Sequence, residues 1–266
     1  MPNMQWIIDQ MESLAPAAWA ESWDNVGLLI GDHTQPVKKV LVALDATESV
    51  IREAIEGNYN CIVTHHALLY NPVKKITTAD PTGCKIIALI THGIALFTAH
   101  TNIDKAPGGV NDCLAEKLGI INTAPLSKSD FSAQVGGGRF GELSTEMTLA
   151  ELATHVKNVL NLNELRYSGD LSSKIKKVGI CGGSGMSLLQ DVINANCDVF
   201  ITGDVKFADS HALLDAEISL LDVTHYGGEV IIVDTIVQKL REKAAAANLP
   251  LEINATSIDG QTFHML

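Results

Sequence analysis

None of the five cysteines (Cys61, Cys84, Cys113, Cys181 and Cys197) is paired at a C-x-x-C spacing, and their number is odd. That argues against a disulfide framework and a structural zinc knuckle. Cys61, Cys181 and Cys197 lie in apolar stretches and read as small core residues, as in a reducing cytoplasm. Positive charge is also scarce: 19 Lys and Arg face 31 Asp and Glu, for a formal net charge of −12. A broad basic face for nucleic acid is therefore not expected, whereas carboxylates gathered in a cleft would attract cations. No basic region followed by an apolar segment stands at the start, so no secretory signal is expected. The apolar stretch from Ile86 to Ala99 is interrupted by His92 and is too short to span a bilayer. Low-complexity tracts are absent as well. What remains, 266 residues with 46% hydrophobic and 19% charged, is the composition of a soluble, cytoplasmic globular protein of one large or two modest domains.

Along the chain a plan recurs. Lys38–Asp45 reads as a buried strand, Glu48–Glu56 as a helix with Thr47 as N-cap and Gly57 as stop, and Cys61–Thr64 as the next strand. This is a βαβ unit, which predicts a parallel pair. Lys176–Cys181 opens the second half alike. A glycine-rich turn (Gly182–Gly185) then leads into a helix from about Met186 to Ala195, and Val199–Thr202 is the strand. Lys39 and Thr64 stand 25 positions apart, as do Lys177 and Thr202. The match predicts an internal duplication and an α/β fold of two similar, intertwined α/β/α lobes. The polar, glycine-rich stretch Pro125–Gly141 suggests the boundary, giving a first lobe of residues 1–124 and a second of residues 125–266. This division leaves room for C-terminal elements to pack back on the first lobe. A helix near Thr148–Leu160, a short strand near Glu164–Tyr167, a helix over Val230–Ala246 and a last strand over Leu251–Ile253 complete the reading.

Three strand ends carry imidazoles or carboxylates. They are Thr64-His65-His66, His100-Thr101-Asn102-Ile103-Asp104 and Thr224-His225-Tyr226-Gly227-Gly228-Glu229. In both later segments the His precedes the carboxylate by four residues. Sites in open parallel sheets form at the carboxyl ends of strands. Singly, each has a plain alternative. His65 and His66 point to opposite faces if the strand continues, so both ligate only if the chain turns there or if each imidazole serves a different metal. Glu229 would serve equally at a helix N-terminus, and Asp104 lies in a turn-rich stretch. Together they point to a divalent metal held by mixed nitrogen and oxygen ligands. His100 could ligate, orient Asp104 or handle protons. His33, His92, His155, His211 and His264 read as surface or locally bonded. Gly182–Gly185 could cradle a phosphate or pack a strand tightly on a helix, and Gly203-Asp204, which matches His65-His66 in the repeat, is a candidate lining of the same cleft.

These segments, with Trp23-Asp24-Asn25-Val26-Gly27-Leu28, Gly137-Gly138-Arg139-Phe140-Gly141-Glu142-Leu143 and Thr202-Gly203-Asp204, give the chain its resemblance to the Nif-three-like dinuclear-metal proteins. Some of these are called GTP cyclohydrolase type-1 type-2 homologues. The resemblance implies two divalent ions per chain (zinc, iron, manganese, cobalt or nickel) held by His65, His66, Asp104, His225 and Glu229, with Glu229 or Asp104 bridging. It also implies a hexameric ring, and a minimal form lacking the domain some relatives insert between the lobes. The expected activity is metal-dependent hydrolysis of a nucleotide-like or phosphorylated small molecule, with His100 as the proton-transfer residue. A non-catalytic metal-binding or regulatory scaffold is the alternative.

Overall fold

A computed structural model describes residues 2–264. In chain order it contains α1 (Met4–Leu14), β1 (Gly27–Ile30), β2 (Lys39–Ala43), α2 (Glu48–Glu56), β3 (Cys61–Thr64), α3 (Pro81–Thr91), β4 (Ala95–Thr98), α4 (Thr101–Lys105) and α5 (Val110–Leu118). Then follow β5 (Ile120–Ala124), β6 (Arg139–Thr148), α6 (Leu149–Val159), β7 (Arg166–Ser168), β8 (Lys174–Ser184), α7 (Leu189–Asn194) and β9 (Val199–Gly203). The last elements are α8 (Phe207–Asp215), β10 (Ser219–Asp222), α9 (His225–Glu229), α10 (Ile231–Ala246) and β11 (Glu252–Ala255). They divide into two compact units, residues 2–103 with 232–260, and residues 104–231 with 261–264.

The first unit holds a five-stranded sheet in the order β1-β4-β3-β2-β11. β4, β3, β2 and β11 are parallel, and β1 joins β4 antiparallel. Every residue of β3 and β4 is buried, the signature of parallel strands covered on both faces. On one face Leu41, Ala43, Ile62 and Leu96 pack with Val50, Ile51 and Ala54 of α2 and Ile86 and Leu89 of α3. Truncating Ile62 to alanine there would cost roughly 2–5 kcal/mol. The helices start where the sequence supplies caps: Thr47 accepts from the Val50 amide, and Asp80, just before Pro81, accepts from the Gly83 amide.

The second unit holds a six-stranded sheet, β5-β6-β8-β9-β10-β7, with β8, β9 and β10 parallel and the rest antiparallel. Alternate residues feed two cores. Val199, Ile201 and Leu221 face one side with Leu149, Leu152 and Val156 of α6, while Phe200 and Leu220 face the other with Val192 and Leu213. A capping box between Thr148 and Glu151 starts α6.

One succession recurs in both units. α1, β1, β2, α2, β3, α3, β4 and α4 are followed later by α6, β7, β8, α7, β9, α8, β10 and α9. The sheet orders β1-β4-β3-β2 and β7-β10-β9-β8 match strand for strand. The α/β architecture is thus the one expected, and the repeated order is consistent with a duplication.

The boundary differs from the one expected, residues 1–124 and 125–266. The chain leaves the first unit after Ile103 and returns at Ile232. The physical reason is strand pairing. β5 and β6 flank the glycine-rich stretch and pair with each other in the second sheet, so that stretch is a connection within one unit. β11 pairs with β2, which returns Glu252–Ala255 to the first sheet. Asp104, expected in the first lobe, falls in the second unit. The expected helix from Met186 to Ala195 is a 3-10 turn (Met186–Leu188) followed by α7.

Candidate metal-binding site

In the first unit the chain bends as soon as β3 ends. The His66 amide donates to the Leu44 carbonyl at 2.9 Å, and Thr64 Oγ1 donates to the His66 carbonyl at 2.9 Å. That bend supplies the turn that two successive ligands require, and the rings of His65 and His66 lie with centroids 4.9 Å apart. His100, just past the end of β4, brings a third ring, 5.3 Å from that of His65 and 5.6 Å from that of His66. Each ring offers a nitrogen within 4.8 Å of the other two.

All three rings are anchored alike. Nδ1 of His65 meets the Ala99 carbonyl at 3.0 Å, Nδ1 of His66 meets Asp45 Oδ1 at 2.9 Å, and Nδ1 of His100 meets Asp24 Oδ1 at 2.9 Å. A carbonyl or carboxylate oxygen only accepts, so each Nδ1 carries a proton, and in the neutral ring Nε2 is the nitrogen left with a lone pair. Metal-ligating histidines are fixed in this way. The Asp24 side chain is fully buried. Burial opposes its ionisation, but hydrogen bonds from His100 and from the amide and hydroxyl of Thr101 outweigh that and hold its carboxyl well below the usual range.

In the second unit His225 opens α9, and Glu229 lies one turn on, buried. The turn before them is strained. Thr224 has φ +65° and ψ 162°, a region that a β-branched residue rarely enters and that costs about 1–3 kcal/mol. It is held there because its amide donates to Asp222 Oδ1 at 3.0 Å and its hydroxyl accepts from the Gly227 amide at 3.1 Å. Asp222 is itself paired with Arg166. His225 Nδ1 meets Asp204 Oδ2 at 2.8 Å, while its Nε2 lies 3.0 Å from Glu229 Oε2. In the neutral ring with its proton on Nδ1, two electron-rich atoms face each other across that 3.0 Å, where either a second proton or a cation joins them. An imidazole nitrogen and a carboxylate oxygen this close together are donors of the kind that a divalent ion would take. The donor set therefore fits a divalent metal.

Burial pushes the Cys181 thiol upward, and the negative charges of Asp104 and Glu229 add to the effect, which sets both carboxylates in one neighbourhood of this unit. Buried Asn111 ties that neighbourhood together: its Nδ2 donates to the Asp104 carbonyl at 3.0 Å, and its Oδ1 accepts from the Gly182 amide at 2.9 Å. A Cβ on Gly182 would come 2.8 Å from Val110 Cγ1 and 2.9 Å from the Gly228 carbonyl oxygen. Of the two readings of Gly182–Gly185, tight packing is the one the structure favours. Residues 182–184 continue β8, and the amides of Gly182 and Gly185 already donate to Asn111 and Thr202.

The DUF34/NIF3 (NGG1p interacting factor 3) family profile matches residues 2–261. The chain belongs to the DUF34/NIF3 family. Among its relatives are proteins called GTP cyclohydrolase 1 type 2 homolog from Clostridium perfringens, 39% identical over 89% of this chain and 90% of that one, and from Clostridium acetobutylicum, 35% identical over 95% and 96%. A solved Bacillus cereus protein related to NIF3 superposes with a TM-score of 0.95 at 27% identity, covering 100% of this chain and 99% of that one. The alignment with the Bacillus subtilis relative runs over 369 residues and covers 99% of each chain, so that DUF34/NIF3 protein carries an insertion absent from these 266 residues.

Within this family frame the remaining histidines are local. His33 bonds Gln5, His92 and His155 bond the main-chain carbonyls of Ala88 and Leu118, His211 packs on Phe207, and His264 is exposed. All five cysteines are free thiols. Among the described residues no helix is long and apolar enough to cross a membrane. Sequence reasoning assigned no role to Asp24, Asp45 or Asn111, and gave Asp204 only weak weight. Asp45 directly follows a buried strand, which is the one local signal it offers.

Proposed function

We propose that His65, His66, Asp104, His225 and Glu229 of this DUF34/NIF3 protein would hold two divalent ions. We further propose that it acts as a metal-dependent hydrolase on a nucleotide-like or phosphorylated small molecule. The observation that carries the metal reading is the common anchoring of the imidazoles. His65, His66 and His225 each give Nδ1 to an oxygen, which keeps Nε2 as the nitrogen that ligates. Five protein ligands for two ions leave coordination positions for water and substrate. The ligand set is mixed nitrogen and oxygen without thiolate, which suits zinc, iron, manganese, cobalt or nickel. When bound, such ions supply Lewis acidity and ease the deprotonation of water.

The chain's own residues supply the rest. His100 gives its Nδ1 proton to Asp24 and keeps Nε2 available, so it takes a proton from, or returns one to, the reacting group at that atom. Asp24, Asp45 and Asp204 keep their imidazoles from rotating. The hydrolase reading of the substrate leans on the name carried by the curated relatives, GTP cyclohydrolase 1 type 2 homolog. Self-association into a hexameric ring and a cytoplasmic location, the latter favoured by five free thiols, belong to the same proposal. The test is a turnover screen with nucleotide and phosphorylated substrates in the metal-loaded protein. Loss of turnover in both His66→Ala and Glu229→Ala is expected. Turnover that survives either substitution overturns the hydrolase, and saturable metal binding without turnover assigns a metal-binding scaffold instead.

A further inference from the structure

Residues 20–26 form no regular element, yet they are fixed from several sides. The Glu21 amide donates to Thr101 Oγ1 at 2.9 Å. The buried Asp24 carboxylate accepts from His100 Nδ1, from the Thr101 amide at 3.0 Å and from the Thr101 hydroxyl at 2.5 Å. Asn25 Nδ2 donates to the Leu69 carbonyl at 2.7 Å, which ties this loop to the one carrying Tyr70. Between these anchors Trp23 stands 55% exposed, and Tyr70 is 52% exposed. Their ring centroids are 5.9 Å apart at an interplanar angle of 60°, and the indole meets the His100 imidazole edge-on at 6.2 Å. Holding two large rings partly in water is unfavourable, and here a buried carboxylate and several hydrogen bonds keep the backbone in place while both residues stay half-exposed. The rings also stand beside the three-imidazole cluster of the same unit.

We propose that Trp23 and Tyr70 form a stacking platform for the substrate's planar nitrogen heterocycle, of the purine or pteridine class, next to His100. With 60° between them, one of the two half-exposed rings takes a flat heterocycle face on and the other closes on its edge, without demanding a particular pattern of substituents. His100 narrows the class. With Nδ1 donating to Asp24, the neutral imidazole offers Nε2 as an acceptor, so the ring that suits it carries an N–H or amino group on its edge. The platform rests on the reading of His65 and His66 as metal ligands for its place in a reaction, but not for binding itself.

The test is equilibrium dialysis of guanosine, adenosine and pterin against the full chain, metal-loaded and chelator-treated, with ribose as control and metal content measured on the same samples. Saturable binding of at least one heterocycle and none of ribose is expected. Trp23→Ala and Tyr70→Ala should each weaken it roughly ten- to hundred-fold, and Trp23→Phe should restore most of it. Both rings are half-exposed, so the variants should fold; should Trp23→Ala fail to, Tyr70→Ala still decides. No saturable binding of any of the three probes overturns the platform, as does unchanged binding in both alanine variants. Assembly that dissociates on Trp23→Ala, in a protein that binds no heterocycle, assigns the pair to contact between copies and also overturns it. Metal without heterocycle binding sinks the platform alone; Trp23-dependent heterocycle binding without metal leaves the platform and sinks the metal reading.

Discussion

Replacing Gly183 by alanine separates what the fold needs from what the ligands need. Gly183 has φ +64°, where a residue with a side chain costs about 1–2 kcal/mol. A Cβ built there lies 2.0 Å from Glu229 Oε1 and 3.3 Å from His225 Nε2. Real Cβ atoms essentially never come within 3.0 Å of another heavy atom, so the carboxylate has to retreat by at least about 1 Å. It is the far end of a flexible side chain, so the retreat costs the fold little. A metal–ligand bond tolerates only about 0.2 Å, so the same retreat removes Glu229 as a ligand. Gly93→Ala is the matched control: it has φ +63° and nothing within 4 Å of its Cβ. Both variants should melt lower by roughly 2–8 °C, the shift that 1–2 kcal/mol produces in a chain of this size. Only Gly183→Ala should lose metal affinity, by at least about tenfold, as read by competition with a chromogenic chelator. A Gly183→Ala protein that holds metal as tightly as Gly93→Ala would refute the placing of Glu229 in the metal site.

Other consequences are as direct. Asp45→Asn and Asp204→Asn should each weaken metal binding roughly 10- to 100-fold in chelator competition while leaving the melting temperature nearly unchanged, because the carboxylates orient His66 and His225. Asn111→Leu removes the side chain that bonds the part-buried Asp104 carbonyl and Gly182 amide, so denaturant titration should find it about 1–3 kcal/mol less stable. Glu53 gives a pH signature. Although burial opposes its ionisation, hydrogen bonds from the Thr256 hydroxyl and from the amide and hydroxyl of Ser257 depress its pKa below the ordinary 4.5. Its contribution is therefore present above that value and is lost as pH falls through the depressed folded value. Glu53→Gln should be less stable than the parent by about 1 kcal/mol near neutrality, after allowance for solvent screening. The gap should close in acid, and urea unfolding at several pH values reads it.

Much of this was legible in the sequence where the signal is local. Thr47 and Gly57 bracket α2 at the residues expected, and the 25-residue spacing brought out the two matching βαβ units. α8 escaped because its pattern is weak: Leu213 is its one buried residue, and Phe207 is 82% exposed. β6 escaped because the glycines before it dominate the composition there, and its pairing with β5 and β8 is a tertiary fact. The same divide runs through the candidate site. The histidines stood out as strand-end residues, but their convergence depends on a bend closed by the Leu44 carbonyl, and their orientation on Asp24, 76 positions before His100, and Asp45, 21 before His66. No local pattern encodes such contacts, so the carboxylates that aim the imidazoles emerged only from the fold.

Elemental analysis of the untagged, desalted protein, quantified per chain, tests the central claim most directly. The account predicts about two divalent ions per chain, reduced in His66→Ala and in Glu229→Ala. No bound metal, and none taken up on reconstitution, would contradict it and leave an α/β protein whose histidines serve only its structure.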